Sequence, residues 1–352
     1  MALGIDIGNS KIKFIELNEN QGNISLASHA MNDVMEDMKI YDPEKIAKAN
    51  WVASIDTIVK DLGINSKKTK NLISSIPGIR TSIKQLTTLE MNKEELSQSL
   101  EFEAKKHIPL DGTEAVLDYH ILGSNIKEID KIDVLLIATT KNIISQHSQI
   151  LKDAGFKPEV FDTDPIALAN CMTYNYDLSD DGCDVIIDIG HLSTSLIVWG
   201  NEKPFYNREI EISGHHMVKE IINKLECDYA KGLDELNKNG VNCSTQTTDN
   251  NTETSNPFNI KIAEKNVFSN LIDELRKSLR YYMKTNGQTP FKRFFLSGGY
   301  SKLPGLEEYF NNQLNIEIEL LNPFNKIEGA SDIDNPSIYS TAVGLALRGM
   351  KK

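Results

Sequence analysis

Two short stretches of this chain pair a carboxylate with glycine and hydroxyls in a way that suits phosphate chemistry. The first is Gly4-Ile5-Asp6-Ile7-Gly8-Asn9-Ser10 and the second is Ile186-Ile187-Asp188-Ile189-Gly190-His191-Leu192-Ser193-Thr194. Each sets one aspartate in an apolar strand just ahead of a glycine. A carboxylate there is costly to bury unless something neutralises it, and a hydrated magnesium ion held by Asp6 and Asp188 through water would do so. Glycine lets the backbone turn tightly, so that amides and the hydroxyls of Ser10, Ser193 and Thr194 can face phosphate oxygens. A single Asp-x-Gly after a strand is more often an ordinary hairpin turn. Its recurrence in each half of the chain points instead to two turns clamping one triphosphate between lobes. A third stretch, Phe294-Phe295-Leu296-Ser297-Gly298-Gly299, ends a strand on two glycines, which suits close approach of backbone to a nucleoside.

The elements that must carry these turns follow from alternation, helical spacing and turn residues. Residues 3–8 and 11–17 read as paired strands, followed by a helix over 43–62 with Ile46, Trp51, Ile55, Ile58 and Leu62 on one face. After a strand over 71–76, Pro77-Gly78 marks a break. A strand over 82–86 then leads to a helix opened by Asn92, with Glu95 as a capping-box partner and Leu96, Leu100 and Ala104 on one face, stopping at Ile108-Pro109. Strands over 116–122 and 133–138, a helix over 142–154 stopped by Gly155, and a strand and helix within 158–172 complete a compact α+β block. The pattern restarts with strands over 185–189, 194–199 and 205–212 and helices over 216–225 and 229–238. Residues 244–257 hold no aliphatic side chain and cannot offset the entropy of ordering, so a mobile surface loop is expected. A helix over 262–283, a strand over 293–296, a helix over 303–314, a strand over 317–320 and a closing helix over 338–347 follow.

Composition narrows the function. At 352 residues the chain exceeds the usual size of one hydrophobic core, and two lobes are expected. Fifty acidic against 38 basic side chains give a net charge of −12, which repels phosphate backbones and anionic lipid at long range, so nucleic acid is a poor partner. The four cysteines lack CxxC spacing and the seven histidines lack HxxxH or HExxH spacing, so neither a zinc site nor a disulfide framework is signalled. The pair His215-His216 reads as a helix-start pair, there being no third ligand at useful spacing. No run approaches the roughly 18 to 20 apolar residues of a membrane span, and no basic n-region follows Met1. A cytoplasmic protein without direct membrane insertion is the expectation.

In this order the three glycine turns resemble the phosphate-1, phosphate-2 and adenosine motifs of the actin, sugar-kinase and heat-shock-chaperone ATPase superfamily. The stretch Ser340-Thr341-Ala342-Val343-Gly344-Leu345-Ala346-Leu347 resembles its connecting helix, where small residues let helices cross at the lobe hinge. Within the superfamily, Ser75-Ile76-Pro77-Gly78, the stretch from Leu100 to Ala104 running on to His107-Ile108-Pro109, and Leu117-Asp118-Tyr119 resemble the type IV pilus assembly PilM family. So do Arg208-Glu209 before Ser213-Gly214, Leu303-Pro304-Gly305-Leu306 and Asn322-Pro323-Phe324. That family is related to the cell-division protein FtsA.

The resemblance implies an α/β, actin-like fold of two lobes, duplicated and ribonuclease H-like, with a PilM-type 1C subdomain. It places subdomain 1A at 1–79 and 336–352, 1C at 80–161, 2A at 162–213 and 286–335, and 2B at 214–285. It implies ATP and magnesium in the cleft, with Asp6, Gly8, Asn9, Ser10 and Lys13 at the first phosphate motif and Asp188, Gly190, Ser193 and Thr194 at the second. Gly298 and Gly299 match the adenosine motif, and Glu235 and Lys238, one helical turn apart, would reach ribose or adenine. Lys11 and His191 depart from the small residues usual in these turns; a cation beside a triphosphate is electrostatically reasonable. The implied partner is the cytosolic N-terminal tail of a PilN-like inner-membrane protein, bound at 1C, with other pilus assembly proteins nearby and self-association left open. The chain would then sit at the cytoplasmic face of the inner membrane through that partner.

Hydrolysis asks for a positioned water and a group to orient it. Asp188 could orient that water and Asp164 could assist, but an aspartate serving a hydrated metal, or Asp164 capping the helix ahead of Pro165, explains both equally well. Binding with at most slow turnover is expected, nucleotide setting lobe closure. The groove beside Leu96, Leu100 and Ala104, bordered by Ile83, Leu86 and Ile108, could take an extended peptide, although Leu96 and Leu100 read better as core. Two other readings compete. A small-molecule kinase would need an acceptor-site signature, which the sequence lacks, and an FtsA-like filament protein would carry an amphipathic targeting helix after the last domain, whereas this chain closes on Gly349-Met350-Lys351-Lys352.

Overall fold

The computed structural model describes residues 1–104, 114–125, 127–245 and 266–350. The expected helix stop at Ile108-Pro109, the loop from 246 to 257 and residues 351–352 lie outside them.

The first lobe opens with β1 (Ala2–Ile7), β2 (Lys11–Asn20) and β3 (Asn23–Asp33), then α1 (Lys48–Asp61) and β4 (Leu72–Ile76). A small subdomain follows, made of β5 (Ser82–Leu89), α2 (Lys93–Ala104), β6 (Ala115–Ser124) and β7 (Lys131–Thr140). The chain returns through α3 (Lys141–Asp153) and β8 (Val160–Thr163) and crosses by α4 (Asp164–Asn175). The second lobe holds β9 (Cys183–Ile189), β10 (Thr194–Gly200), β11 (Lys203–Ile210), α5 (Gly214–Leu225), α6 (Tyr229–Asn239), α7 (Asn242–Thr245), α8 (Val267–Thr285), β12 (Phe291–Ser297), α9 (Leu306–Leu314) and β13 (Ile318–Leu320). The last helix, α10 (Ser340–Met350), returns to the first lobe.

The two large sheets have one plan. The first runs β3-β2-β1-β4-β8 and the second β11-β10-β9-β12-β13; in each, a three-stranded antiparallel meander is extended by two parallel strands. This is the duplicated actin-like fold expected from the sequence. It puts Asp6 and Asp188 at equivalent places, near the C-terminal ends of β1 and β9, where ligands of parallel α/β sheets collect.

The seat of α10 rests on two close approaches. A Cβ on Gly4 of β1 would stand 2.1 Å from the Ala342 carbonyl oxygen, and one on Gly344 would stand 1.8 Å from that of Ala167 on α4. Glycine lets α10 press against β1 on one side and α4 on the other, as the small-residue pattern of 340–347 predicts.

Three features differ from the sequence expectation. The strand β3 was not expected: its positions are at most half-buried, so alternation never becomes a strong apolar signal. The first long helix begins at Lys48, not at 43. The segment after the small sheet belongs by packing to the first lobe, since Leu151 of α3 shares a core with Leu3, Ile5, Phe14 and Ile55, and β8 pairs with β4. The small sheet, order β5-β7-β6, buries Leu96, Leu100 and Ala104 of α2 against Ile132, Val134, Leu136 and Ala138, which makes Leu96 and Leu100 core. Ile83, on the other face of β5, packs instead with Leu168, Ile186 and Phe295 of the second lobe.

Candidate functional site

A cleft of about 1100 Å³ lies between the lobes. Its lining includes Asp6, Gly8, Asn9, Ser10 and Lys13 from the first turn, Asp188, Gly190 and Ser193 from the second, Gly298 and Gly299 from the third, and Asp164. The structure thus brings these sequence-derived positions together.

Both turns are anchored from behind. Trp51 Nε1 donates to the Gly8 carbonyl at 3.0 Å, the Tyr41 hydroxyl to that of Asn9 at 3.3 Å, and the Val34 amide to that of Ser10 at 2.8 Å. In the second turn the Gly214 amide holds the Gly190 carbonyl at 3.1 Å, while the His215 amide and Ser213 Oγ hold that of His191 at 2.9 and 2.8 Å. A trans peptide points its carbonyl and the following N–H in opposite directions. The amides of Asn9, Ser10, Lys11, His191 and Leu192 are therefore turned away from the anchors. Glycine is obligatory in the turns themselves: a Cβ on Gly8 would meet the Lys11 carbonyl at 2.6 Å, and one on Gly190 the Ser193 carbonyl at 2.9 Å. Gly298 has φ +91°, and a Cβ there would stand 2.6 Å from the Ile189 carbonyl, where the third turn crosses the end of β9.

Between the turns lies a web of carboxylates around Lys13. Lys13 Nζ donates to Asp6 Oδ2 at 2.7 Å, with both side chains largely buried. Burial alone would lower the lysine's pKa, but Asp6, with further pull from Asp188 and Asp164, outweighs it and raises the value above the ordinary. Burial lifts Asp188 to about 6, with Asp6 and Glu209 adding to the rise and Ser297 and Lys13 opposing it. Asp164 is raised well above the ordinary by burial and by Asp6, although Ser75 Oγ donates to it at 2.5 Å. Glu209 is raised by burial, against hydrogen bonds from Ser195 Oγ at 2.7 Å and Ser193 Oγ at 2.9 Å. Among the described residues no group of three or more His, Cys, Asp or Glu is placed to hold a metal ion directly.

Several positions differ from expectation. Thr194 is buried and spends its hydroxyl on the Ile212 carbonyl at 2.7 Å, so the cleft receives Ser195 in its place. Glu235 and Lys238 are outside the lining; Lys238 pairs with Asp234 and Glu235 with Asn239, while α6 turns Leu233 and Asn237 to the cleft. His191 is no cation at neutral pH, because burial, with His215 and Lys13 close by, lowers it to about 3. Lys11 pairs with Asp33 at 2.6 Å on the cleft rim. Asp164 is the first residue of α4 and Thr163 takes the N-cap position, so its carboxyl is spent on Ser75 and not on the helix end.

Sequence reasoning missed the strap between β3 and α1. Tyr41, from the first lobe, is buried in the second lobe's core, its ring centroid 4.8 Å from that of Tyr229 and 5.0 Å from that of His191. It also missed His147 of α3, which lines the cleft, bonds Ser74 Oγ at 2.9 Å, and is lowered by burial to about 4. An aromatic in a polar connection and a histidine on an amphipathic helix carry no local signal of either contact.

Comparison with known proteins agrees with this architecture. Over its full length the chain superposes on the "PilM-PilN type IV pilus biogenesis complex" with TM-score 0.81 and 22% identity, covering 100% of this chain and 99% of that one. The ethanolamine utilization protein EutJ from Carboxydothermus hydrogenoformans superposes with TM-score 0.54 and 12% identity, covering 98% and 89%. At such identities the likeness is one of fold. The family model described as "Type IV pilus assembly protein PilM" matches residues 4–350. The chain belongs to the type IV pilus assembly protein PilM family.

Proposed function

We propose that this protein is a nucleotide-responsive scaffold of the type IV pilus machinery, holding ATP-magnesium in the interlobe cleft and capturing the cytosolic N-terminal tail of a PilN-like membrane protein on its small subdomain. The observation that carries the first half is the meeting of the Asp6 and Asp188 turns in one cleft around Lys13. The donor set fits a magnesium triphosphate: five backbone amides turned from their anchors, the Lys13 ammonium, and carboxylates whose raised pKa values a cation would relieve. Gly8, Asn9 and Ser10 with Gly190 and Ser193 would hold phosphates, Asp6 and Asp188 the metal through water, and Gly298, Gly299, Leu233 and Asn237 the nucleoside. When bound, the metal would neutralise the charge that the triphosphate brings to these carboxylates.

For the second half, β6 pairs on one side only among the described residues and has Ile121 and Leu122 half-exposed, a sheet edge suited to an added peptide strand. No helix among the described residues is long and apolar enough to cross a membrane, consistent with a cytoplasmic protein reaching the inner membrane through its partner. The test is a pull-down with N-terminal peptides of candidate membrane partners, with and without ATP-magnesium. Capture that depends on peptide sequence and responds to nucleotide is expected; capture indifferent to both would overturn the reading.

A further inference from the structure

A second cavity, of about 1080 Å³, opens at the other end of the first lobe between residues 67–73, 157–160 and the end of α10. Leu72 lies on its wall, whereas Ile76, at the opposite end of the same strand, lines the nucleotide cleft. Roughly 13 Å of β-strand separates the two.

Its charge runs against the chain's average. In a protein of net charge −12, the lining carries Lys67, Lys68, Lys70, Lys157 and Arg348 against one acidic side chain, Glu159. The four lysines are exposed, and their ammonium groups make no ion pair or hydrogen bond among the described residues. Among the described residues Arg348 pairs with Asp162 alone, at 4.0 Å. Like charges gathered in one concavity raise one another's energy, and an anionic surface relieves it.

The neighbours indicate which anion. Val160 on the wall is 41% exposed, and Met1, whose carbonyl accepts from Asn71 Nδ2 at 3.3 Å, is 68% exposed. A site for a small free anion would enclose its ligand with buried donors; here the lysines are exposed, with Val160 exposed among them and Met1 nearby, the composition of a face that rests on lipid headgroups. We propose that this end of the first lobe docks on a bilayer surface rich in anionic phospholipid. The long-range repulsion expected from net charge is overridden here by local charge, because screening confines the interaction to about a Debye length.

The full-length protein, alone, is co-sedimented with vesicles of phosphatidylcholine and with vesicles in which phosphatidylglycerol is added. Binding to the second only is expected, weakening as salt rises. Each lysine lost near such a surface weakens binding about fivefold, so Lys67→Ala/Lys68→Ala/Lys70→Ala should bind about a hundredfold more weakly. The same variant should keep its thermal midpoint, since these ammonium groups hold nothing in the fold, and the corresponding triple arginine variant should bind as the parent does. Equal partitioning into both vesicles, absence of binding, or parental binding by the alanine variant would overturn the proposal. Release of vesicle-bound protein by millimolar inorganic phosphate would also overturn it, in favour of a free-anion pocket.

Discussion

Asp6 and Lys13 face each other in the register of the first hairpin, and their side chains close that pair at 2.7 Å in the floor of the interlobe cleft. The buried carboxylate that first suggests a metal is thus already neutralised by its cross-strand neighbour. Further in, burial raises the carboxyls of Asp188, Asp164 and Glu209, which the proposed metal would face.

Lys13→Met should leave Asp6 buried beside Asp164 and Asp188 with no counter-charge. Removing one member of a buried pair costs about 3 kcal/mol, and the loss should appear in urea unfolding of the nucleotide-free protein. Nucleotide affinity should fall at least tenfold by titration calorimetry, since the same ammonium faces the phosphate turns.

The carboxyl shifts set a pH dependence. Asp188 is raised from 3.8 to about 6, so between those values the folded state keeps a proton that the unfolded chain has released. Stability must therefore fall as pH rises through that interval, by about 2 kcal/mol, with Asp164 and Glu209 pushing in the same direction. Urea midpoints between pH 4.5 and 7 should show the decline, and Asp188→Asn should lessen it. A midpoint rising with pH over this range would contradict the assignment.

Gly78 and Glu209 meet between the small subdomain's root and the second lobe. A Cβ on Gly78 would stand 2.2 Å from Glu209 Oε1, a carboxylate pinned by Ser193 and Ser195. Gly78→Ala should cost about 2 kcal/mol, and much of that cost should vanish in a Glu209→Ala background. Equal cost in both backgrounds, measured by denaturant unfolding, would remove this contact as a link between cleft and subdomain.

Tyr41 ties the lobes together across the cleft rim. Tyr41→Ala should cost about 3 kcal/mol through lost packing against Tyr229 and His191, whereas Tyr41→Phe loses only the hydroxyl's bond to Asn9, about 1 kcal/mol. Release of a fluorescent ATP analogue should be faster from the alanine variant and near parental from the phenylalanine one.

Local chemistry makes the three glycine turns legible in the sequence, because glycine at a strand end, with a carboxylate beside it in the first two, constrains the backbone wherever it occurs. Lys13 became a site residue only through family resemblance: alternation says that it lies on a strand, not that its partner is Asp6. The face of α6 was misjudged because Glu235 and Lys238 look chemically suitable, whereas burial of Tyr229, Gly232 and Leu236 turns Leu233 and Asn237 inward instead. His191 was read as a cation because the sequence does not show that it will be buried among aromatic rings. Tyr41 escaped notice because its partners lie some 150 to 190 positions away, in the other lobe.

In the proposed function both aspartate-glycine turns serve one magnesium triphosphate. A crystal structure determined with magnesium and a non-hydrolysable ATP analogue tests it most directly. Triphosphate density is expected between Gly8–Ser10 and Gly190–Ser193, with the metal's water shell reaching Asp6 and Asp188 and the base near Gly298 and Asn237. Nucleotide bound elsewhere on the chain, or touching only one of the two turns, would contradict it.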